Sequence, residues 1–235
     1  MIAIFKRELK SYFYSPIGYV CVAAIVALYG FFYYAILMSS GTTAYIGSVY
    51  STLFSFTMII LPILTMRSMS EDQKNKTDQA LLTAPVSVVS IVTGKFFASF
   101  AVYFVASTLG LLPAFALAFV SSPPWGIIFG NYIATLLYGG AMISIGVFIS
   151  SLTQSQVIAA VGTFIASIIF MYIDGIAASI NNPIVTKIVG WISFSTRNAT
   201  FTAGTFSFAS CIFFISVISI FVFLTSRRLE SRRWS

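Results

Sequence analysis

Charged side chains are absent from three long runs of this chain, Ser11 to Met66, Phe96 to Ile173 and Asn198 to Ser226. A helix needs about 20 apolar residues to cross a bilayer, so the runs hold two, three and one crossing segments. Polar breaks at Ser39-Ser40-Gly41-Thr42-Thr43, Ser121-Ser122-Pro123-Pro124 and the patch from Ser150 to Gln156 place them. The predicted spans are about 16–38, 47–66, 96–120, 126–150, 157–173 and 207–226. Ahead of the first, Ile2, Phe5, Leu9, Tyr12 and Phe13 share one helical face, with Arg7, Glu8 and Lys10 turned away. That pattern predicts an interfacial helix over 2–14 ended by Ser15-Pro16, or a plain extension of the first span. The expected architecture is an all-α polytopic membrane domain covering 1–235.

One substantial polar island lies between spans, from Arg67 to Lys95. Ser70-Glu71-Asp72-Gln73 has the form of a capping box, and its acids complement the positive end of a helix. The helix is predicted over about 71–84, through Leu81-Leu82 and ending before Pro85. A generic amphipathic connector has the same pattern. Between spans five and six, Asn182-Pro183 reads as N-cap and first helical residue. Ile184, Val185, Ile188, Val189 and Ile192, with Trp191, then give helical spacing. This predicts a short helix dipping into the outer leaflet, with a break at Gly204 before the last span.

Within spans, Pro62 and Pro113 each free a carbonyl and bend the helix, as hinges or as fixed kinks. Span four carries Gly126, Gly130, Gly139, Gly140, Ser144 and Gly146. Small residues at that spacing admit a close neighbour, either inside the chain or across a dimer seam.

Composition removes the alternatives to a membrane protein. The 235 residues are 58% hydrophobic and 8% charged, with a mean hydropathy of +0.95, against about 25% charged in soluble domains. The net charge of +7 sits at the flanks of apolar runs rather than in one stripe, which points away from nucleic acid. With a cytoplasmic N-terminus, every Lys and Arg except Lys187 and Arg197 falls on the inner side, so both termini are expected there. Lys6, Arg7 and Lys10 resemble a signal-peptide start, but the run that follows is longer than a signal core, so it reads as a retained span.

Candidate chemistry is sparse. Cys21 and Cys211 fall inside apolar runs and read as free thiols. Histidine is absent, there is no Cys cluster, and no phosphate-binding Gly-rich loop or nucleophile–base set occurs. The expectation is a non-enzyme without cofactor or metal. Asn198-Ala199-Thr200 matches a glycosylation triplet of a kind that arises by chance. Asp174 is the one acid outside the cytoplasmic segments and is expected as an end cap or loop residue at the close of span five. Buried in a span, it would instead suggest an ion-coupled carrier.

The order Arg67, Glu71, Thr77, then Leu81-Leu82-Thr83-Ala84-Pro85-Val86-Ser87, then Ile91-Val92-Thr93-Gly94-Lys95, resembles the type-2 ABC transporter permease family. The flavour is that of the gliding-motility-associated permeases. Phe5-Lys6-Arg7-Glu8-Leu9-Lys10-Ser11-Tyr12-Phe13 with Ser15-Pro16-Ile17-Gly18-Tyr19, and Ser150-Ser151-Leu152-Thr153 with Gln154-Ser155-Gln156, extend the likeness over essentially the whole chain.

The resemblance implies six spans, a coupling helix between spans two and three that docks on a separate ABC ATPase, and re-entrant outer helices between spans five and six. Two ATPases would join two permeases, as a homodimer or heterodimer, in a bacterial inner membrane. Carried onto this chain, Glu71, Thr77, Gln79, Leu81 and Leu82 would contact the ATPase, and Lys95 would sit at the inner mouth of span three. Pro183, Trp191 and Gly204 would belong to the outer gate. The chain departs from the family at Lys76 and Gln79, where many relatives carry Gly and Glu. The resemblance therefore implies an ATP-driven exporter subunit in contact with membrane lipid. A secondary carrier and a non-transporting membrane anchor are the alternatives.

Overall fold

The computed structural model describes residues 1–40, 46–78, 81, 86–119, 122–180 and 182–234. Among the described residues the regular structure is helical throughout, and six helices are long and apolar enough to cross a membrane. In chain order the helices are α1 (Ile2–Tyr14), α2 (Pro16–Ser40), α3 (Ile46–Thr65), α4 (Arg67–Lys74), α5 (Val88–Leu109) and α6 (Leu112–Leu117). They continue with α7 (Trp125–Leu152), α8 (Gln156–Ser179), α9 (Pro183–Ile192), α10 (Phe194–Thr202) and α11 (Phe208–Trp234).

Helix α7 is the axis of the bundle. Every residue from Tyr138 to Val147 is buried, and α3, α5, α8, α10 and α11 pack around it. With lipid outside, apolar character gives no drive for helices to associate, so close fit must supply it. Gly139 illustrates this: a Cβ there would run into the ring of Tyr103, whose hydroxyl donates to the Thr135 carbonyl at 3.0 Å. Gly140 meets Ile218 and Phe100, and Gly146 meets Thr65. This part of the small-residue stripe therefore serves packing within the chain and not a dimer seam. Gly126 and Gly130 face open space. The outer members α8 and α11 turn Val157, Ile165, Ile169, Ile212, Ile215 and Phe223 outward, as a lipid-facing surface requires.

Several boundaries differ from the charge-based reading, each for a local reason. Helix α5 begins at Val88 rather than 96, because Ser87 caps it by accepting from the Ser90 N–H at 3.3 Å. Lys95 is thereby drawn inside the helix, where its charge is met by carboxylates. The same span stops at Leu109 and restarts as α6, with Pro113 in the first turn, so Pro113 opens a new helix instead of kinking a continuous one. Pro62 does lie inside its helix, α3. Helix α8 runs on to Ser179, past the predicted end at 173, so Asp174 is neither a cap nor a loop residue. Its carboxylate accepts from the Ser193 hydroxyl and, at 3.0 Å, from that of Thr196. Helix α11 continues well past its apolar part into the basic tail.

Between α8 and α11 the chain forms α9 and α10. Asn182 caps α9, its side chain accepting from the Ile184 N–H at 3.0 Å, with Pro183 as the first helical residue. Trp191 is 63% exposed. Gly204 takes φ +82°, a conformation that favours glycine, and breaks the chain before α11.

Replacing Gly139 by alanine should lower stability by about 1–3 kcal/mol, the usual cost of overpacking a tight core. Thermal unfolding of the purified protein in detergent measures it; an unchanged midpoint would show that the Tyr103 contact is not held.

Candidate functional site

The short polar helix α4 is fixed to three other helices, α1, α5 and α7, at one end of the bundle. It follows α3 after a single turn residue, Met66, so its first amides lack intrahelical partners. Ser150, near the end of α7, supplies one: its hydroxyl oxygen accepts from the Met69 and Ser70 N–H groups, both at 3.0 Å, and donates to the Met66 carbonyl at 3.0 Å. Gln73 adds a second bond to α7, donating from Nε2 to the Ser151 carbonyl at 2.9 Å. The helix thus starts at Arg67, not at a Ser70 cap. Ser70 lies buried inside it, and the capping group comes from another span.

Lys95 joins α4 to α1 and α5. Its side chain is 2% exposed, and Nζ lies 2.5 Å from Asp72 Oδ2 and 3.1 Å from Glu8 Oε1. It also donates to the Ser68 carbonyl at 2.6 Å. Arg7 completes the set, 2.8 Å from Glu8 and 3.6 Å from Asp72. Burial pushes the Asp72 carboxyl up, but Lys95, a 2.6 Å bond from the Thr77 hydroxyl, and Arg7 outweigh it and hold the group below the usual carboxylate range. Glu8 is therefore not on an open polar face of α1, as helical periodicity suggests. It is only 14% exposed because Lys95 draws it inward.

A second clamp runs through Arg67. Its guanidinium pairs with Glu71 at 2.7 Å, donates to the Ser11 hydroxyl at 2.9 Å, and sits 5.6 Å from the centre of the Tyr12 ring. The Tyr12 hydroxyl in turn meets Ser99 at 2.9 Å and donates to the Leu64 carbonyl at 3.1 Å. Near the far end of α11, Arg232 lies 4.0 Å from Asp78. Both the first and the last helix therefore reach the α4 end of the bundle.

The continuous helix over 71–84 is not what the structure shows. Helix α4 stops at Lys74, Asn75 and Lys76 form a turn, and helical residues recur at Thr77–Asp78 and at Leu81. The break sits where Lys76 adopts φ +56°, a left-handed conformation in which a side chain is strained. Of the residues predicted to meet a partner, Glu71 is half-buried against Arg67 and Thr77 is exposed. Leu81 is half-buried, facing a small cavity lined by Met69, Ile91 and Leu229. Gln79 and Leu82 lie outside the described residues. The Glu8–Asp72–Lys95 knot and the Ser150 hook were missed in sequence. The nearest signal for them was the pairing of a lone Lys95 with acids on both flanking polar segments.

Among the described residues no group of His, Cys, Asp and Glu is placed to hold a metal. What the arrangement provides is mechanical: ion pairs tie α4 to α1 and α5, and neutral hydrogen bonds tie it to α7.

Lys95→Met should destabilise the protein by about 3 kcal/mol or more, since it leaves Glu8 and Asp72 facing each other without their shared cation. Adding Glu8→Gln and Asp72→Asn should restore much of the loss, read as unfolding midpoints across the set. Lys76→Gly should stabilise by up to about 1 kcal/mol by relieving the left-handed residue; a fall in the midpoint would show that the turn is not held there.

A family model described as ABC-2 family transporter protein matches residues 25–196, from the middle of α2 into α10. The match includes α4, Lys95 and the Ser150 hook. No curated protein matches the chain.

Proposed function

The chain belongs to the ABC-2 transporter family, and from that premise we propose that it is the permease subunit of an ATP-driven exporter, worked through α4 by a separate ABC ATPase. Membership makes it a multi-pass membrane transport component that is not itself catalytic, and permeases of this family normally pair with an ABC ATPase. The observation that carries the finer reading is the anchoring of α4. A force applied to the exposed Lys74, or to Thr77 just after the turn that ends α4, passes through Ser150, Gln73 and Lys95 into α7, α5 and α1.

In this reading α4 and the turn after it form the coupling element, and α9 with α10 form outer gate helices. Two copies of the ATPase meet two permease copies in a bacterial plasma membrane, with both termini cytoplasmic. The distribution of Lys and Arg supports that orientation. Closure of the ATPases on ATP favours one state of the spans by differential affinity, which is the source of work for transport. The bonds from Ser193 and Thr196 to Asp174 give that carboxylate a structural role, so an ion-coupled carrier gains no support from it.

Co-purification of the chain with an ABC ATPase, followed by ATP hydrolysis in proteoliposomes, tests the proposal. Lys74→Glu, at an exposed position closing α4, should leave the permease folded but weaken ATPase capture at least tenfold, because it reverses a charge in the contact. Capture and hydrolysis equal to those of the unaltered chain would sink the coupling role of this segment.

A further inference from the structure

The end of the bundle opposite α4 holds a cavity of about 190 Å3 between α3, α8 and α10. A single water needs only about 10–15 Å3 of such space. Its walls carry Ser51 and Ser55 from α3, Tyr172 from α8, and Ser195, Asn198 and Thr202 from α10, with no charged side chain.

The polar groups on these walls are largely idle. Elsewhere, hydroxyls in the helices return to a carbonyl one turn back, as Thr52 does to Ser48 at 3.0 Å and Thr163 to Ala159 at 2.8 Å. The side chains of Ser51, Ser55, Tyr172, Ser195 and Asn198 make no hydrogen bond to any described residue. Asn198 matters most, being only 6% exposed. A carboxamide so buried is costly unless something in the cavity bonds to it.

Helix α10 is held firmly enough to keep Asn198 in place. Its start is tied to Asp174 through Ser193 and Thr196, and the buried Phe194 ring stacks on Phe170 at 4.6 Å. Its end receives a bond from Asn131 Nδ2 to the Phe201 carbonyl at 3.2 Å. The missing Cβ of Gly47 lets the Thr202 carbonyl lie against α3.

We propose that this cavity binds an uncharged polyhydroxylated group, such as a sugar ring, through the Asn198 carboxamide and the hydroxyls of Ser51, Ser55 and Ser195. Carboxamides and hydroxyls both donate and accept, as sugar hydroxyls do. A phosphate, carboxylate or ammonium would lose its hydration here and find no opposite charge. That the ligand is transport cargo rests on the permease reading; that the cavity binds it does not.

The test uses the full chain in phosphatidylcholine nanodiscs, titrated with monoglucosyl diacylglycerol, the matching diacylglycerol, phosphatidylglycerol and soluble maltotriose, with bound ligand counted by native mass spectrometry. Saturable binding of the glucosyl lipid or of maltotriose is expected, and competition between them tells a glycolipid headgroup from a free sugar. Asn198→Leu should weaken that binding about tenfold, the loss of a buried hydrogen-bonding group. Ser55→Ala, on the opposite wall, should weaken it severalfold even if the Asn198 variant folds poorly. Absence of saturable sugar binding, equal binding of phosphatidylglycerol, or affinity unchanged in both variants would overturn the proposal. No ATPase is needed, so failure here leaves the coupling reading standing, and failure of coupling leaves this binding intact.

Discussion

The structure depends on one buried cation. Lys95 lies in an otherwise apolar helix at 2% exposure, and a charge in that position is tolerated only with partners and hydrogen bonds in place. Asp72, Glu8 and the Ser68 carbonyl are those partners. They come from α4 and α1, so satisfying Lys95 decides where both helices sit. Helices α1 and α4 thus have one joint position, set by electrostatics in a low-dielectric setting, where breaking the set is costly.

The hook from Ser150 extends this constraint to the centre of the bundle. Helix α7 is the most enclosed span, and its end supplies the acceptor for the first amides of α4. A helix of eight residues has little stability of its own. It persists here because its orphan amides, its glutamine and its aspartate are all engaged by neighbours. Such a device suits a lever, since displacement of α4 must either carry α7, α5 and α1 with it or break several buried bonds at once.

Much of the fold was legible in sequence because lipid imposes a simple rule. Charge-free runs gave the six spans, and Ser15-Pro16 and Asn182-Pro183 marked real helix starts. The rule failed where charge is buried and paired. Lys95 and Asp174 were read as span ends, yet each lies inside a helix with its partners brought by distant segments. Ser70 was read as a cap, yet the cap is Ser150, eighty residues away. Pairings of that kind are tertiary and leave no periodic trace. Lys76 is a middle case: the departure from the family's glycine was visible in sequence, while its meaning, a left-handed turn ending α4, needed the backbone.

If Ser150 and Gln73 hold α4 to α7 as proposed, the two helices move as one body when nucleotide changes the state of the transporter. Electron–electron distance measurement between spin labels at Asn75→Cys and Leu152→Cys, with Cys21 and Cys211 replaced, reads this in a complex with an ABC ATPase. The expected result is the same distance with ADP and with trapped ATP, while a second pair at the other end of the bundle, Leu112→Cys and Ile184→Cys, changes. A nucleotide-dependent Asn75–Leu152 distance with the far pair unmoved would contradict it.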